Sequence, residues 1–204
     1  MRDILKPNSY YHIFNHANGS ENLFRETKNY YFFLEKYFLY ISPIAVTFAY
    51  CLMPNHFHFL IKIKNEEKIL EYAKGSGKFK ASDSFLKIIS SAFKKFFTSY
   101  TNSYNKIYER KGNLFQQKFK RIEITDVFYL KHAINYIHKN PVSHEFCKNP
   151  EDWEFSSFNY FFGDNNKIID KDQVIKWFEE LNSFAKFHND TSFEKYGIEM
   201  ELLY

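Results

Sequence analysis

Apolar residues recur along the chain at two periods, and the places where the period changes mark out the elements. Tyr10 to His16 is rich in aromatic and β-branched residues and reads as a first strand. Tyr30, Phe33, Leu34, Tyr37, Phe38 and Ile41 recur at steps of three and four, a single stripe down a helix that Pro43 stops. Ile44 to Met53 returns to strand composition, and Pro54-Asn55 turns the chain into a hairpin. The next run, His56 to Lys64, alternates strictly: Phe57, Phe59, Ile61 and Ile63 share one face, and His56, His58, Leu60, Lys62 and Lys64 the other. With Leu60 its only apolar member, that second face is expected to be open, polar and basic.

Asn65 to Asp83 mixes charges around Gly75-Ser76-Gly77 and is expected to be a flexible loop or an irregular insertion. From Phe85 a helical stripe runs through Ile88, Ile89, Ala92, Phe93, Phe96, Phe97 and Tyr100, with Ser82 or Asp83 as its cap. Leu114 to Ile124 reads as a further strand, and Thr125 or Asp126 caps a helix that should end at Asn140, before Pro141. Strand, helix, strand, strand, helix, strand, helix is an α+β order of the ferredoxin-like, split βαβ kind, an antiparallel sheet covered by helices. Beyond Pro150, Trp153 to Tyr160 reads as a packed connection, and Val174, Ile175, Phe178, Leu181 and Phe184 as one more amphipathic helix. Residues 1–150 are thus expected to form the main domain and 151–204 a C-terminal helical extension packed on the same core.

Composition narrows the class. The chain has 204 residues, 45% of them apolar and 21% aromatic, enough ring area for a sizeable core and incompatible with disorder. The longest apolar stretch, Phe38 to Met53, is interrupted by Ser42-Pro43 and falls short of the roughly 18 residues a membrane span needs. Met1 to Asn8 has no apolar signal core, so a cytoplasmic protein with no membrane partner is expected. Cys51 and Cys147 are too few and too far apart for a disulfide scaffold or a thiolate metal site, and read as buried thiols. The overall charge of +4 hides an asymmetry. Between Lys68 and Arg121 there are 13 Lys and Arg against three acidic residues, a net +10, whereas Pro150 to Tyr204 carries a net −7. Such blocks fit a polyanion-binding middle and an acidic closing segment, or simply two solvated faces.

Two clusters could carry chemistry. His56 and His58, two apart on a strand, send both imidazoles to one face, close enough to share a metal ion, although two strand histidines satisfied by their neighbours would look the same. On the helix before Pro141 the apolar stripe is Val127, Leu130, Ile134 and Ile137, whereas Tyr129, His132, Ala133, Tyr136 and Asn140 lie on another flank, which puts Tyr136 outside the core. Asn140 projects to the same side as Tyr136, and is also an ordinary helix-ending residue before proline.

Four segments, Tyr11-His-Ile-Phe-Asn15, Ala49-Tyr-Cys-Leu-Met-Pro-Asn-His-Phe-His-Phe-Leu-Ile61, Gly112-Asn-Leu-Phe-Gln-Gln-Lys-Phe-Lys120 and Tyr136-Ile-His-Lys-Asn-Pro-Val142, resemble in order and spacing those of the REP-associated tyrosine transposases. These are single-tyrosine HUH transposases and nucleases, in which two histidines flank one bulky apolar residue. The resemblance implies an HUH endonuclease fold, His56 and His58 as metal ligands, Asn140 as third ligand, Tyr136 as nucleophile, and Mg2+ or Mn2+ as cofactor. It implies cleavage and transfer of single-stranded or hairpin DNA bearing a REP-like palindrome, through a covalent 5′-phosphotyrosine, by a monomer or homodimer. His132, one turn before Tyr136, is a candidate base, and Lys62, Lys64, Lys118, Lys120 and Arg121 are the first candidates for DNA contacts, with Lys94 and Lys95 after them. His12, His16, His138, His144 and His188 are read as structural or surface residues. The alternatives are a DNA-binding protein that has lost cleavage, a relaxase or replication-initiator nickase with the same chemistry, and a zinc hydrolase. The last lacks an acidic residue beside the histidine pair to act as base.

Overall fold

The histidine-bearing strand, β3 (His56–Ile63), is buried on both faces, and the sheet is built around it. In the computed structural model, which describes residues 4–77, 79–80, 82–163 and 168–190, β3 pairs antiparallel with β2 (Ala45–Met53) through the Pro54-Asn55 turn. On its other side it pairs antiparallel with β1 (Tyr10–His16), which in turn pairs antiparallel with β4 (Lys120–Ile124), so the strand order is β2-β3-β1-β4.

The alternation of β3 decides what covers each face. Phe57 and Phe59 meet α1 (Thr27–Tyr40) and α3 (Phe85–Ile107): Tyr37 stacks on Phe59 with ring centroids 4.0 Å apart, and Phe33 lies against Phe57 and Phe96. Each such buried ring contributes about 1.5–3 kcal/mol. The opposite face is covered by α4 (Val127–Ser143), which packs on β2 and β3 through Leu130, Ala133, Ile134 and Ile137. The supposedly open face is therefore an inner one, with His56 and His58 only 3% and 1% exposed.

Several elements depart from the sequence pattern for identifiable reasons. Asn65 to Asp83 is no loop throughout, because α2 (Glu66–Ser76) occupies most of it. Asn65 caps that helix by accepting from the Lys68 N–H, Ile69 and Ala73 bury its inner side, and Gly77, at φ 63°, closes it in a left-handed conformation rather than interrupting a loop. The cap of α3 is Ser84, while Asp83 pairs with Lys87 at 2.6 Å. The strand expected from Leu114 is regular only from Lys120, because Lys118 takes φ 67° and breaks the extended run. Pro141 sits inside α4, which continues to Ser143; so close to the helix end it removes only one intrahelical donor. Phe38 and Val127 are exposed, Tyr136 is buried at 8% exposure, and Cys147 is half-buried whereas Cys51 is fully buried.

Beyond Pro150 the chain returns along the outer edge of β2. Leu52 N–H donates to the Phe155 carbonyl, Ser157 N–H to the Tyr50 carbonyl and Asp170 N–H to the Thr47 carbonyl. The single helix expected next is two, α5 (Lys171–Phe178) and α6 (Leu181–Asn189), separated at Glu179, which takes φ 71°. A buried relay fixes α6 to the core, and its protons can be placed. His188 Nδ1 donates to the Phe184 carbonyl at 2.8 Å, so its Nε2 must accept from His138 Nδ1 at 2.9 Å. His138 Nε2 then accepts from the Ser157 hydroxyl at 2.8 Å, and that oxygen accepts the Tyr50 N–H.

Candidate active site

β3 and α4 bring together four residues that lie up to 84 positions apart in sequence. His56 and His58 project from β3 towards α4, their ring centroids 5.1 Å apart and their planes at 86°. Tyr136 meets His58 edge-on at 5.5 Å, and one helical turn later Asn140 reaches His56, its Oδ1 2.8 Å from His56 Nε2. The expected companionship of His56, His58, Tyr136 and Asn140 is present, but in an interior rather than on a solvent-facing strand side.

Burial sets the protonation of the cluster. It lowers His56 to about 3, against a weaker opposing effect of the Asn140 hydrogen bond, and drives His58 well below the usual imidazole range. Both rings are neutral at pH 7, as a metal ligand must be. His56 Nδ1 stands 2.7 Å from Asn55 Oδ1, so a neutral ring that donates there turns a bare lone pair on Nε2 towards the lone pairs of Asn140 Oδ1. In the other tautomer Nε2 donates to Asn140 Oδ1, whereas the Nδ1-protonated ring offers Nε2 to a cation beside the amide oxygen. Turning the amide would give Nε2 a donor and leave Oδ1 without one; as placed, Asn140 Nδ2 is buried with no hydrogen-bond partner.

The spacing fits a shared divalent ion. Imidazoles bound to one ion at about 2.1 Å and roughly 90–110° apart have centroids about 4.6–5.3 Å apart, and the observed separation falls within that range. Among the described residues no three His, Cys, Asp or Glu side chains form a metal-holding group; the oxygen donor that stands beside the histidine pair is the amide of Asn140, 2.8 Å from His56 Nε2. Two imidazoles and one amide leave coordination positions for a phosphate oxygen and water.

Three further histidines surround this centre, and none was singled out from the sequence. His12 is fully buried on β1, with Nε2 3.0 Å from His58 Nδ1 and its ring 5.8 Å from that of Tyr136. His16 stacks on His56 at 4.7 Å, and His144 stands 5.1 Å from His56. The alternation Tyr10, His12, Phe14, His16 placed His12 and His16 on one face, but only the register, His16 opposite His56 and Phe14 opposite His58, aims that face at the site. A cavity of about 420 Å³ opens here, lined by His16, Asn22, Asn55, His56, His144 and Phe146. Lys120 reinforces burial in lowering the His16 pKa. His132 is buried rather than solvent-facing, its ring against Phe128 at 4.3 Å and Phe187 of α6 at 5.2 Å.

The cationic candidates separate. Lys120 lies opposite Phe14, on the site's face of the sheet, whereas Arg121 lies opposite Ile13 and points to the other face. There Arg121, Lys118 and Lys94 line a groove of about 1060 Å³ together with Asn15, Asn102 and Gln116. Lys64 is engaged by the Ser42 carbonyl at 2.6 Å, Lys62 lies over the Tyr10 ring and Lys95 over that of Phe79. Four residues along β3 from His58, Lys62 is about 13 Å from the centre.

The chain thus holds a buried imidazole pair facing a tyrosine and an asparagine across a sheet–helix interface. No protein-family model matches the chain, and no curated protein matches it in sequence. Its structure is similar to that of a REP-associated tyrosine transposase solved bound to a REP hairpin, with a TM-score of 0.58 over 83% of this chain and 95% of that one, at 18% identity. The likeness is one of fold, and it falls on the same family that the four sequence segments resemble. No helix among the described residues is long and apolar enough to cross a membrane.

Proposed function

We propose that this protein is a metal-dependent single-strand DNA endonuclease and strand transferase of the single-tyrosine HUH type, built on a ferredoxin-like sheet, with residues 151–163 and 168–190 as an extension of the same core; the rest of the expected 151–204 extension lies outside the described residues. The observation that carries this reading is the meeting of His56, His58 and Asn140 with Tyr136 across the β3–α4 interface. His56, His58 and Asn140 would hold Mg2+ or Mn2+. When bound, the ion supplies charge to polarise the scissile phosphate and to offset negative charge gathering on its oxygens.

The chain's own residues do the rest. The Tyr136 oxygen attacks the phosphorus in line; the P–O bond to the 3′ oxygen breaks, leaving a 5′-phosphotyrosine and a free 3′-hydroxyl. The phenolic proton passes to a nearby base, for which buried and neutral His132 remains the candidate on α4. Because the phosphotyrosine keeps the bond energy, a second 3′-hydroxyl reverses the step and joins a new strand. The cavity beside His16, His56 and His144 gives the backbone a way in. Lys120 on the site's face and Arg121, Lys118 and Lys94 on the other form a track across edge strand β4, suited to a single strand passing from the site to the groove.

The decisive experiment uses labelled single-stranded hairpins from DNA flanking the gene, with Mn2+. Wild type should form a denaturation-resistant adduct with the 5′-side product, and Tyr136→Phe, which keeps the ring and removes one oxygen, should bind the hairpin yet neither cleave nor form the adduct. Cleavage by wild type without any adduct would exclude the covalent route and favour a metal-activated water. An adduct formed by Tyr136→Phe would move the nucleophile to another tyrosine.

A further inference from the structure

Metal-bound imidazoles need their second nitrogen held, since which ring nitrogen carries the proton decides which one offers a lone pair. For His56 that partner is the neighbouring Asn55, whose Oδ1 lies 2.7 Å from Nδ1. For His58 it comes from another strand. His12 on β1 lies opposite Leu60, one diagonal step from His58, and its Nε2 is 3.0 Å from His58 Nδ1. The rings are nearly parallel, at 23°, with centroids 5.1 Å apart, and both side chains are almost wholly buried.

We propose that His12 is a positioning residue of the metal centre: its Nε2 accepts the proton of His58 Nδ1, which locks His58 in the tautomer that presents Nε2 to the ion and fixes the plane of its ring. This rests on the reading of His56 and His58 as ligands. The contact itself admits either tautomer, and the ligand role of His58 selects between them. A neutral imidazole has one N–H, and the 3.0 Å contact requires one of the two facing nitrogens to carry it. If His12 were the donor, His58 would have its proton on Nε2 and no lone pair to offer there, and the lone pair on Nδ1 would be committed to His12. Only the opposite arrangement leaves His58 able to bind a metal. A buried polar pair in mid-sheet is otherwise costly, since Leu60 shows that the same face accepts an aliphatic side chain.

His12 also holds the nucleophile's side of the site. Its ring meets Tyr136 at 76° with centroids 5.8 Å apart, so it packs against both the ligand and the phenol, which also meet each other directly. Its role is to orient; it is not placed as a ligand.

Two measurements test this. In the metal-free wild type, long-range 1H–15N NMR of the histidine rings should show His58 protonated on Nδ1 and His12 unprotonated on Nε2; the reverse tautomers would overturn the inference without any variant. Mn2+ titration followed by EPR should then show His12→Phe, which keeps an aromatic ring but no acceptor, binding about 10–100-fold more weakly. His12→Gln, whose amide oxygen can accept, should recover part of that loss, with circular dichroism confirming that each variant is folded. Wild-type affinity in folded His12→Phe, or equal losses in His12→Phe and His12→Gln, would overturn it. His56→Ala separates the two levels of the argument. If His56→Ala loses Mn2+ and His12→Phe does not, only the positioning role fails, whereas a wild type that binds no Mn2+ removes the metal reading as well.

Discussion

Asn140 was ambiguous in sequence, since asparagine before proline is as apt to end a helix as to bind an ion. The fold weakens the first reading, because α4 runs on through Pro141 to Ser143 and the Asn140 side chain is turned inward to His56. Asn140→Ala should therefore raise the Mn2+ concentration for half-maximal cleavage by about tenfold or more, with Asn140→Gln recovering part of the effect. A loss of helix stability with an unchanged metal requirement would return the residue to capping. At this scale the sequence was most legible where spacing alone joins residues, as with the His56–His58 pair and the Tyr136–Asn140 turn. It was least legible for His12, His16 and His144, whose relation to the site depends on strand register and on where α4 ends. The burial of Tyr136 escapes the sequence pattern for a related reason: the flank beside the apolar stripe is polar in composition, yet its Tyr136 and Asn140 are the residues that cover the histidines.

At the scale of elements, α4 is both the carrier of Tyr136 and Asn140 and the anchor for α6, through His138, His188 and Ser157. The relay requires neutral rings. Burial lowers His188 from 6.5 to about 4, opposed by its bond to the Phe184 carbonyl, and holds His138 well below its usual range. Since the folded-state values lie below the unfolded ones, the stabilisation is complete above pH 6.5 and is lost as pH falls towards 4. For His188 this amounts to about 2 kcal/mol between pH 7 and pH 5. Urea unfolding of wild type and His188→Gln at both pH values isolates the contribution, because the other buried histidines are common to both proteins; the variant should lose about 2 kcal/mol less on acidification. An equal loss in both would mean that His188 titrates in the fold as it does in the unfolded chain. The periodicity located the apolar residues of this region but not its break, since Glu179 at φ 71° leaves no compositional mark of the kind glycine gives.

For the whole molecule, the question is where a polyanion runs. The +10 block does not form one surface: Lys95 lies over a ring, and Lys118, Lys120 and Arg121 divide between the two faces of the sheet, while outside the block Lys64 is tied to a carbonyl and Lys62 lies over a ring. Charge counting along the chain detected the block, but strand alternation decided its distribution. Neutralising Lys120 and Arg121 to Gln should flatten the salt dependence of binding by about 0.7 in slope per lost phosphate contact. Lys94→Gln with Lys118→Gln should weaken only those single strands long enough to reach the groove, which a series of oligonucleotides of increasing length would reveal. Uniform weakening at every length would place the groove outside the DNA path.

The two sides of the sheet are protected differently. The returning segment hydrogen-bonds along the outer side of β2, whereas among the described residues β4 pairs only with β1. An unpaired strand of alternating side chains is a template for a second molecule, and charged residues are the usual deterrent. Here Lys120, Arg121 and Glu123, the last paired with Lys6 at 2.7 Å, supply that deterrent on a strand whose other members are Ile122 and Ile124. The cations proposed to meet DNA thus also stand where they would deter edge-to-edge pairing of β4. Apolar replacement, Lys120→Val with Arg121→Val, should turn Phe119 to Ile124 into a β-prone run and raise light scattering on storage, while the Gln pair at the same positions should stay clear. Nucleic acid lying across β4 would shield the strand in wild type, so the protein should resist self-association best when loaded, and preparations stripped of DNA should be the first to aggregate.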